Sequence, residues 1–471
     1  MSGASIGGPP GRGGGAGDSL WAPERRALTV GLVLTITFVA SEALAVVTIM
    51  PEVARDLGGL HLYGWVFSAF LLGCMVGIVA AGREADRSGP TRPYVAGLVL
   101  FGAGLVVAGL APTMIVLVVG RTLQGLGAGA IPAVAYVAIG RAFPERLRAR
   151  MMAVLSTAWV APGIVGPLAS AAVAHVFGWR WVFLGLIPFV AVTGVLALPG
   201  LARLGRPARP PEVEHRMVDA VRTAVGTGLV LGGLTAGHPV LVVPLVVAGA
   251  VVLVPALRRL LPAGTLRAAP GLPTTILSRG LLTFAFFGAD AFVTLAVVTV
   301  RHHTVAAAGI VVTVSTLSWT VGAWIQARLN QRWEGRRLVR LGLSLVVIGV
   351  GGMIAVLEPP VPLSVAYLSW AVAGLGMGLA YAPTTLMMLR EAPSGREGWA
   401  SASLNLSDVL GAALGAGLGG AAIAVGAARG WPLTTGVTVA FALPGAVAVL
   451  GIALTGRLPL RADRLAVDDR P

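Results

Sequence analysis

The chain of 471 residues is 56% hydrophobic and only 12% charged, with a mean hydropathy of +0.85. That is more apolar surface than one soluble core can hide, which excludes an ordinary soluble enzyme and makes lipid the expected solvent. The net charge of +15, carried by arginine with no lysine at all, would point a soluble domain toward nucleic acid; here its placement along the chain speaks for a membrane and against a nucleic-acid partner.

Residues 1–24, rich in Gly, Ser and Pro up to position 20 and without periodicity, are predicted to form a disordered cytoplasmic tail. The run from Ala27 to Met50 is too long for a signal-peptide core and has no clear cleavage site, so it reads as a retained span. Crossing about 30 Å of hydrocarbon takes roughly 20 apolar residues at about 1.5 Å each. Runs of that length predict fourteen spans. Six lie near 27–50, 63–82, 94–111, 114–139, 151–175 and 181–199. Two, near 218–236 and 240–257, form a hairpin turned at Gly237, His238 and Pro239. The last six lie near 280–300, 305–327, 339–356, 363–389, 400–425 and 432–455.

The expected fold is therefore an all-α polytopic membrane protein. A six-helix bundle covers 25–200, cytoplasmic segments and an inserted helix pair cover 201–271, a second six-helix bundle covers 272–456, and a cytoplasmic tail covers 457–471. The loops GREADRSGPTR at 82–92 and QARLNQRWEGRR at 326–337 follow the second helix of each set, a weak internal repeat. Tandem six-helix halves of this kind place a substrate site near the midplane between them. On these spans about 30 of the 35 arginines fall in alternate loops, termini or adjoining helix ends, and only Arg55, Arg180, Arg301 and Arg429 fall on the other side. That bias puts both termini in the cytoplasm, and the Ala-, Gly-, Val-, Leu- and Arg-rich composition suggests a bacterial inner membrane.

The single cysteine, Cys74, excludes an intrachain disulfide and a thiolate cluster. There is no phosphate-binding G-x-x-x-x-G-K-S/T loop and no H-E-x-x-H pattern. The degenerate G-x-G-x-x-G at Gly125 to Ala130 lies inside a span, where close packing explains it. No metal, cofactor or enzymatic activity is expected.

Five segments carry a resemblance. The loop Gly82-Arg-Glu-Ala-Asp86-Arg87-Ser-Gly89 is similar to G-x-L-x-D-R-x-G-R-R, with Glu84 at the leucine and Pro90-Thr91 at the basic pair. Arg121-Thr-Leu-Gln124-Gly125 is similar to R-x-x-Q-G, and Gly163-Ile-Val-Gly166-Pro167 with its neighbours to G-x-x-x-G-P-x-x-G-G, although Pro162, Ser170 and Ala171 stand where glycines are usual. Trp179-Arg-Trp-Val-Phe is similar to W-R-W-x-F, for which an interfacial Trp anchor is the alternative. Glu42-Ala-Leu-Ala-Val-Val-Thr-Ile-Met-Pro51 has the spacing of L-D-x-T-I-V-N-V-A-L-P. Together these resemble the fourteen-helix drug:proton antiporter branch of the major facilitator superfamily. The resemblance implies a monomer that moves small molecules against protons. It also implies gating by Asp86, Arg87 and Gly89 and by Gly163, Gly166 and Pro167, whose small residues permit close helix contact.

Apart from that resemblance, an ionisable residue inside a span is costly unless paired, neutralised or wet, and so marks a functional candidate. Glu42, Arg121, Asp290 and Asp408 are the cases away from predicted helix ends. Glu42 lies eight residues before Met50 and Arg121 eight after Thr113, so both sit about 12 Å below the outer ends of antiparallel helices. Asp290, eleven residues before Arg301, sits at about 16 Å. The resemblance implies that Glu42, Arg121 and Asp290 face one cavity together. Desolvation favours a protonated carboxyl and a nearby arginine an ionised one, an opposition suited to proton coupling provided that an aqueous path reaches the group. A static buried ion pair is the alternative. Asp408 can equally gate.

Gln124 and Asn405 are candidates to hydrogen-bond substrate or to join helices, and Trp159, Trp319, Trp370 and Tyr381 to offer aromatic faces, packing being the alternative. Three carboxylates against one arginine mildly favour a cationic substrate. Proton-driven export of hydrophobic or amphipathic molecules is the leading expectation. An uptake symporter and a non-transporting sensor or lipid-handling protein are the alternatives.

Overall fold

The computed structural model describes residues 19–158, 160–205, 216–236, 239–330, 332–394 and 396–459. Trp159, the hairpin turn at Gly237 and His238, and most of both expected tails lie outside the described residues.

Among the described residues the chain forms sixteen α-helices and no strand. In the first half these are α1 (Pro23–Leu57), α2 (Tyr63–Ser88), α3 (Thr91–Gly109), α4 (Met114–Ala142), α5 (Glu145–Thr157), α6 (Val160–Phe177), α7 (Arg180–Leu184) and α8 (Ile187–Ala202). The inserted pair is α9 (Arg216–Thr235) and α10 (Pro239–Leu260). The second half comprises α11 (Leu272–Leu295), α12 (Val305–Leu329), α13 (Gly335–Val356), α14 (Ser364–Glu391), α15 (Glu397–Ala428) and α16 (Leu433–Leu454).

Thirteen of these helical stretches are long and apolar enough to cross a membrane. The fifth expected span is different, since it is divided into α5 and α6 around residue 158. Pro162 explains the break, because it has no N–H to offer the carbonyl four residues earlier. Several helices also outrun their apolar cores. Hydropathy marks the lipid-immersed length, whereas caps mark the helix itself. Thus α2 continues to Ser88 and is stopped by Gly89 at φ +88°, which puts Asp86 and Arg87 in its last turn instead of in a loop. Similarly α11 begins at Leu272, after Gly271 at φ +85° and with Pro273 in its first turn, eight residues before the expected start.

Within the first half α4 packs on α2 and α3, and α1 on α6 and α8; within the second, α14 packs on α12 and α13, and α11 on α15. The α2–α4 crossing depends on glycine, since a methyl at Gly125 would lie 2.0 Å from the Phe70 carbonyl oxygen. The halves meet through α2–α15, α6–α12 and α1–α11.

We call the side where α1 starts and α2 ends the arginine-rich face, and the opposite side the far face. Near the far face Thr294 Oγ1 donates to the Val47 carbonyl at 2.6 Å, and the rings of Tyr63 and Phe292 lie 5.8 Å apart. Gly64 and Gly420 bring α2 and α15 together so closely that a methyl at Gly420 would stand 2.6 Å from the Gly64 Cα. These contacts close the far face.

The inserted hairpin lies across the α2–α15 seam. Trp65 Nε1 of α2 donates to Thr235 Oγ1 of α9 at 3.0 Å, while Ser403 Oγ of α15 donates to the Leu260 carbonyl of α10 at 3.0 Å. Asp219 clips the pair through Arg222 and Arg259 at 3.3 and 3.4 Å. The outer side of α10, with Val240, Val243, Val247 and Val251, is exposed and apolar, as a lipid-facing surface should be.

Candidate functional site

Three charged centres lie inside the helices. The first joins α1 and α4, where Arg121 pairs with Glu42 and also donates to Gln124 Oε1 at 2.9 Å and to the Val66 carbonyl at 3.2 Å. Its guanidinium lies 4.2 Å from the centre of the Phe70 ring. The spacing R-x-x-Q puts Arg121 and Gln124 on one side of α4, so the glutamine holds the arginine. Glu42 is 1% and Arg121 2% exposed, and Gln124 is fully buried. In this conformation, then, α1, α2 and α4 enclose the pair, and the aqueous path expected at Glu42 does not reach it. One carboxylate oxygen, Oε2, has no hydrogen-bond partner.

The second centre is Asp290 on α11, 8% exposed, which accepts from Trp370 Nε1 on α14 at 2.9 Å. The structure therefore brings Glu42 and Arg121 together but gives Asp290 a partner within its own half. Trp370 is completely buried, so it serves as a hydrogen-bond donor and not as an open aromatic face. Trp370→Phe is expected to cost about 1–3 kcal/mol by leaving a buried acceptor without its donor, readable as a lower unfolding midpoint.

The third centre was not legible as such. Arg279, one residue before the span that hydropathy places near 280–300, is 2% exposed because α11 starts earlier, and it pairs with Asp408 of α15 at 3.7 Å. Gly271-Leu-Pro273 is the local helix-start signal that carries Arg279 inside α11. Arg279 also donates to Thr384 Oγ1 and the Tyr381 carbonyl, both at 2.9 Å, and to Thr385 Oγ1. Tyr381 donates its hydroxyl to Asp408 Oδ2 at 2.8 Å. The Asp408 side chain is 20% exposed, more than the other two carboxylates. With Arg279 counted, the carboxylates Glu42, Asp290 and Asp408 stand with two arginines in place of one, which weakens the charge argument for a cationic substrate.

Aromatic rings connect the second and third centres. Trp370 stacks on Phe286 at 5.4 Å, Phe286 meets Trp319 edge-on at 5.5 Å, and Trp319 meets Tyr381 at 5.6 Å. Trp319 and Tyr381 are partly exposed, and Asn405 is exposed. Trp159 lies outside the described residues.

Among the gating candidates, Asp86 and Arg87 are exposed at the arginine-rich end of α2. Gly163 and Pro167 lie at the junction of the halves, and Gly166 faces α1 within the first half. A methyl at Gly163 would come within 2.1 Å of Thr316 Cγ2 on α12, one at Gly309 within 3.3 Å of the Pro167 carbonyl oxygen, and one at Gly166 within 3.9 Å of Leu44 Cβ on α1. In the W-R-W segment, Trp179 Nε1 and Arg180 each reach Asp56 Oδ2 at 2.9 Å and tie α7 to the end of α1. Among the described residues no cluster of His, Cys, Asp and Glu could hold a metal ion.

A two-bundle fold of helices long and apolar enough to cross a membrane, with ionisable groups inside each bundle, defines a polytopic transporter. The family model for the Major Facilitator Superfamily matches residues 28–416. The chain belongs to the Major Facilitator Superfamily. A probable multidrug-efflux transporter of Mycobacterium tuberculosis is 26% identical over 435 residues, spanning 88% of this chain and 91% of that one. A multidrug transporter protein of Bacillus subtilis is 32% identical over 180 residues, 38% of this chain and 32% of that one. Among solved structures, a POT peptide transporter in complex with alafosfalin has a TM-score of 0.67 at 15% identity, covering 91% of this chain and 94% of that one. A D-xylose-proton symporter has a TM-score of 0.64 at 14% identity, covering 92% and 98%. These structures share the fold. The protein is thus a multi-pass membrane transporter of small-molecule substrates.

Proposed function

We propose that the protein is a proton-coupled exporter of hydrophobic or amphipathic small molecules, working by alternating access. The observation that carries this reading is the presence, inside the bundle of each half, of a carboxylate engaged by an arginine, Glu42 with Arg121 and Asp408 with Arg279. An ionisable residue inside a span is costly, which makes each of these pairs a functional candidate by default. The multidrug-efflux relatives favour export. If the arginine-rich face is cytoplasmic, the closed far face makes this the conformation facing the cytoplasm, with Glu42 sealed. Parting α1 from α11 at Val47 and Thr294 would then open a route to Glu42 from outside. A proton arriving there would release Arg121 from its charged partner and bias the far-open state toward discharge of substrate.

The aromatic cluster of the second half, with Trp319 and Tyr381 partly exposed and Phe286 and Phe287 against Trp319, offers faces that suit planar apolar or amphipathic molecules. Energised cells of a pump-deficient bacterium expressing the protein are expected to expel several chemically unrelated dyes, and an uncoupler to stop it. Dye levels equal to those of cells without the protein would contradict export. The departures at Pro162, Ser170 and Ala171 from the antiporter pattern favour one other reading, uptake by symport. Transport in inverted vesicles separates the two directions.

A further inference from the structure

The third centre has a geometry that the first lacks. Arg121 hydrogen-bonds its carboxylate directly. Arg279 does not, since it stands 3.7 Å from Asp408 Oδ1 and spends its donors on Thr384, Thr385 and the Tyr381 carbonyl of α14. The hydrogen bond that Asp408 Oδ2 accepts comes from the Tyr381 hydroxyl at 2.8 Å, and Oδ1 has no hydrogen-bond partner. The ring of Tyr381 lies 3.5 Å beneath the Arg279 guanidinium and 5.6 Å from Trp319. One side chain thus touches the carboxylate with its oxygen and the aromatic wall with its ring.

Resting on the proton-coupled reading above, we propose that Tyr381 is the residue through which the charge state of Asp408 is transmitted to the substrate wall, with Arg279 as the positioning residue that holds the ring in register. While Asp408 is ionised, the hydroxyl of Tyr381 makes a charge-assisted hydrogen bond, about twice as strong as a neutral one. When Asp408 takes up a proton that bond weakens, but Arg279 keeps its three ties to α14. The ring is then the part free to turn, and it turns against Trp319. Charged and titratable neighbours are few. Arg279 on α11 and Tyr381 on α14 face Asp408, and Tyr136 on α4 of the other half approaches Tyr381. On α9, Asp219 is engaged by Arg222 and Arg259. The titratable groups in the last turns of α2, Arg83, Glu84, Asp86 and Arg87, lie at its arginine-rich end, and α16 carries none.

The test uses the full chain in lipid nanodiscs and whichever of ethidium, acriflavine and doxorubicin the wild type transports. Dye affinity is measured by fluorescence in acidic and in alkaline buffer, and the ratio is taken within each variant, so that a general change in affinity cancels. The wild-type ratio is expected to be on the order of tenfold, and Tyr381→Phe to reduce it below about twofold. Asp408→Asn and Arg279→Gln should do the same. Arg279→Lys, which keeps the charge but not the planar fork, should restore part of it. If Tyr381→Phe keeps the wild-type ratio while Asp408→Asn abolishes it, the transmission through Tyr381 is wrong and the coupled reading stands. If Asp408→Asn also keeps it, Asp408 is not the group being sensed. A wild type that transports none of the dyes, or shows no ratio for those it does, overturns the coupled reading and this inference with it.

Discussion

Replacing Arg121 by Gln is expected to lower stability by about 3–5 kcal/mol and to abolish uphill efflux, because it leaves a buried carboxylate without its counter-charge. Glu42→Gln should do the same from the other side, since Arg121 would keep its bonds to Gln124 and Val66 but lose the charge that offsets its burial. The double variant Glu42→Gln/Arg121→Gln should recover most of the loss, as neutral replacements of a buried pair commonly do. Denaturant titration in micelles reads the stability and dye efflux the function. The proposed role requires a stable double variant that cannot pump. A double variant that pumps normally would make the pair a packing device with no part in coupling.

The second large effect is expected at the junction of the halves. Gly163→Ala would place a methyl 2.1 Å from Thr316 Cγ2, whose rotamer is held by the bond from Thr316 Oγ1 to the Val312 carbonyl at 3.1 Å. Overpacking of this kind costs about 1–3 kcal/mol. It applies only while α6 and α12 touch, so it should shift the balance away from the far-closed state by roughly 5- to 150-fold. Transport should fall accordingly, and a cysteine introduced at Val47, in a chain whose single cysteine Cys74 is replaced by Ser, should be labelled faster by reagents added from the far face. Thr316→Ser removes the offending methyl and keeps the hydroxyl, so adding it should restore transport. Failure of that rescue would show that Gly163 matters for some reason other than the contact.

Much of this was legible because lipid imposes simple rules. Helix number, the six-two-six order and the shared depth of Glu42 and Arg121 follow from counting apolar residues between punctuation, and the structure pairs those two side chains. The limits of the method appear at Arg279. Hydropathy starts that span at Gly280, whereas the helix, set by Gly271 and Pro273, starts at Leu272 and carries the arginine inside. Asp290 shows a different limit. Its partner Trp370 lies 80 residues away on another helix, and no local pattern announces such a contact. For Gln124 and Trp370 position in a span leaves substrate contact and helix packing both open, and only the packing shows each buried against a charged partner.

The most direct test of the account is proton movement driven by substrate alone. Proteoliposomes holding the wild type and an internal pH dye, given an outward gradient of a transported dye and no imposed pH difference, should acidify as substrate leaves. Glu42→Gln/Arg121→Gln vesicles should not. Substrate leaving the wild-type vesicles at full rate with no change in internal pH would contradict the central claim that this transporter exchanges its substrate for protons.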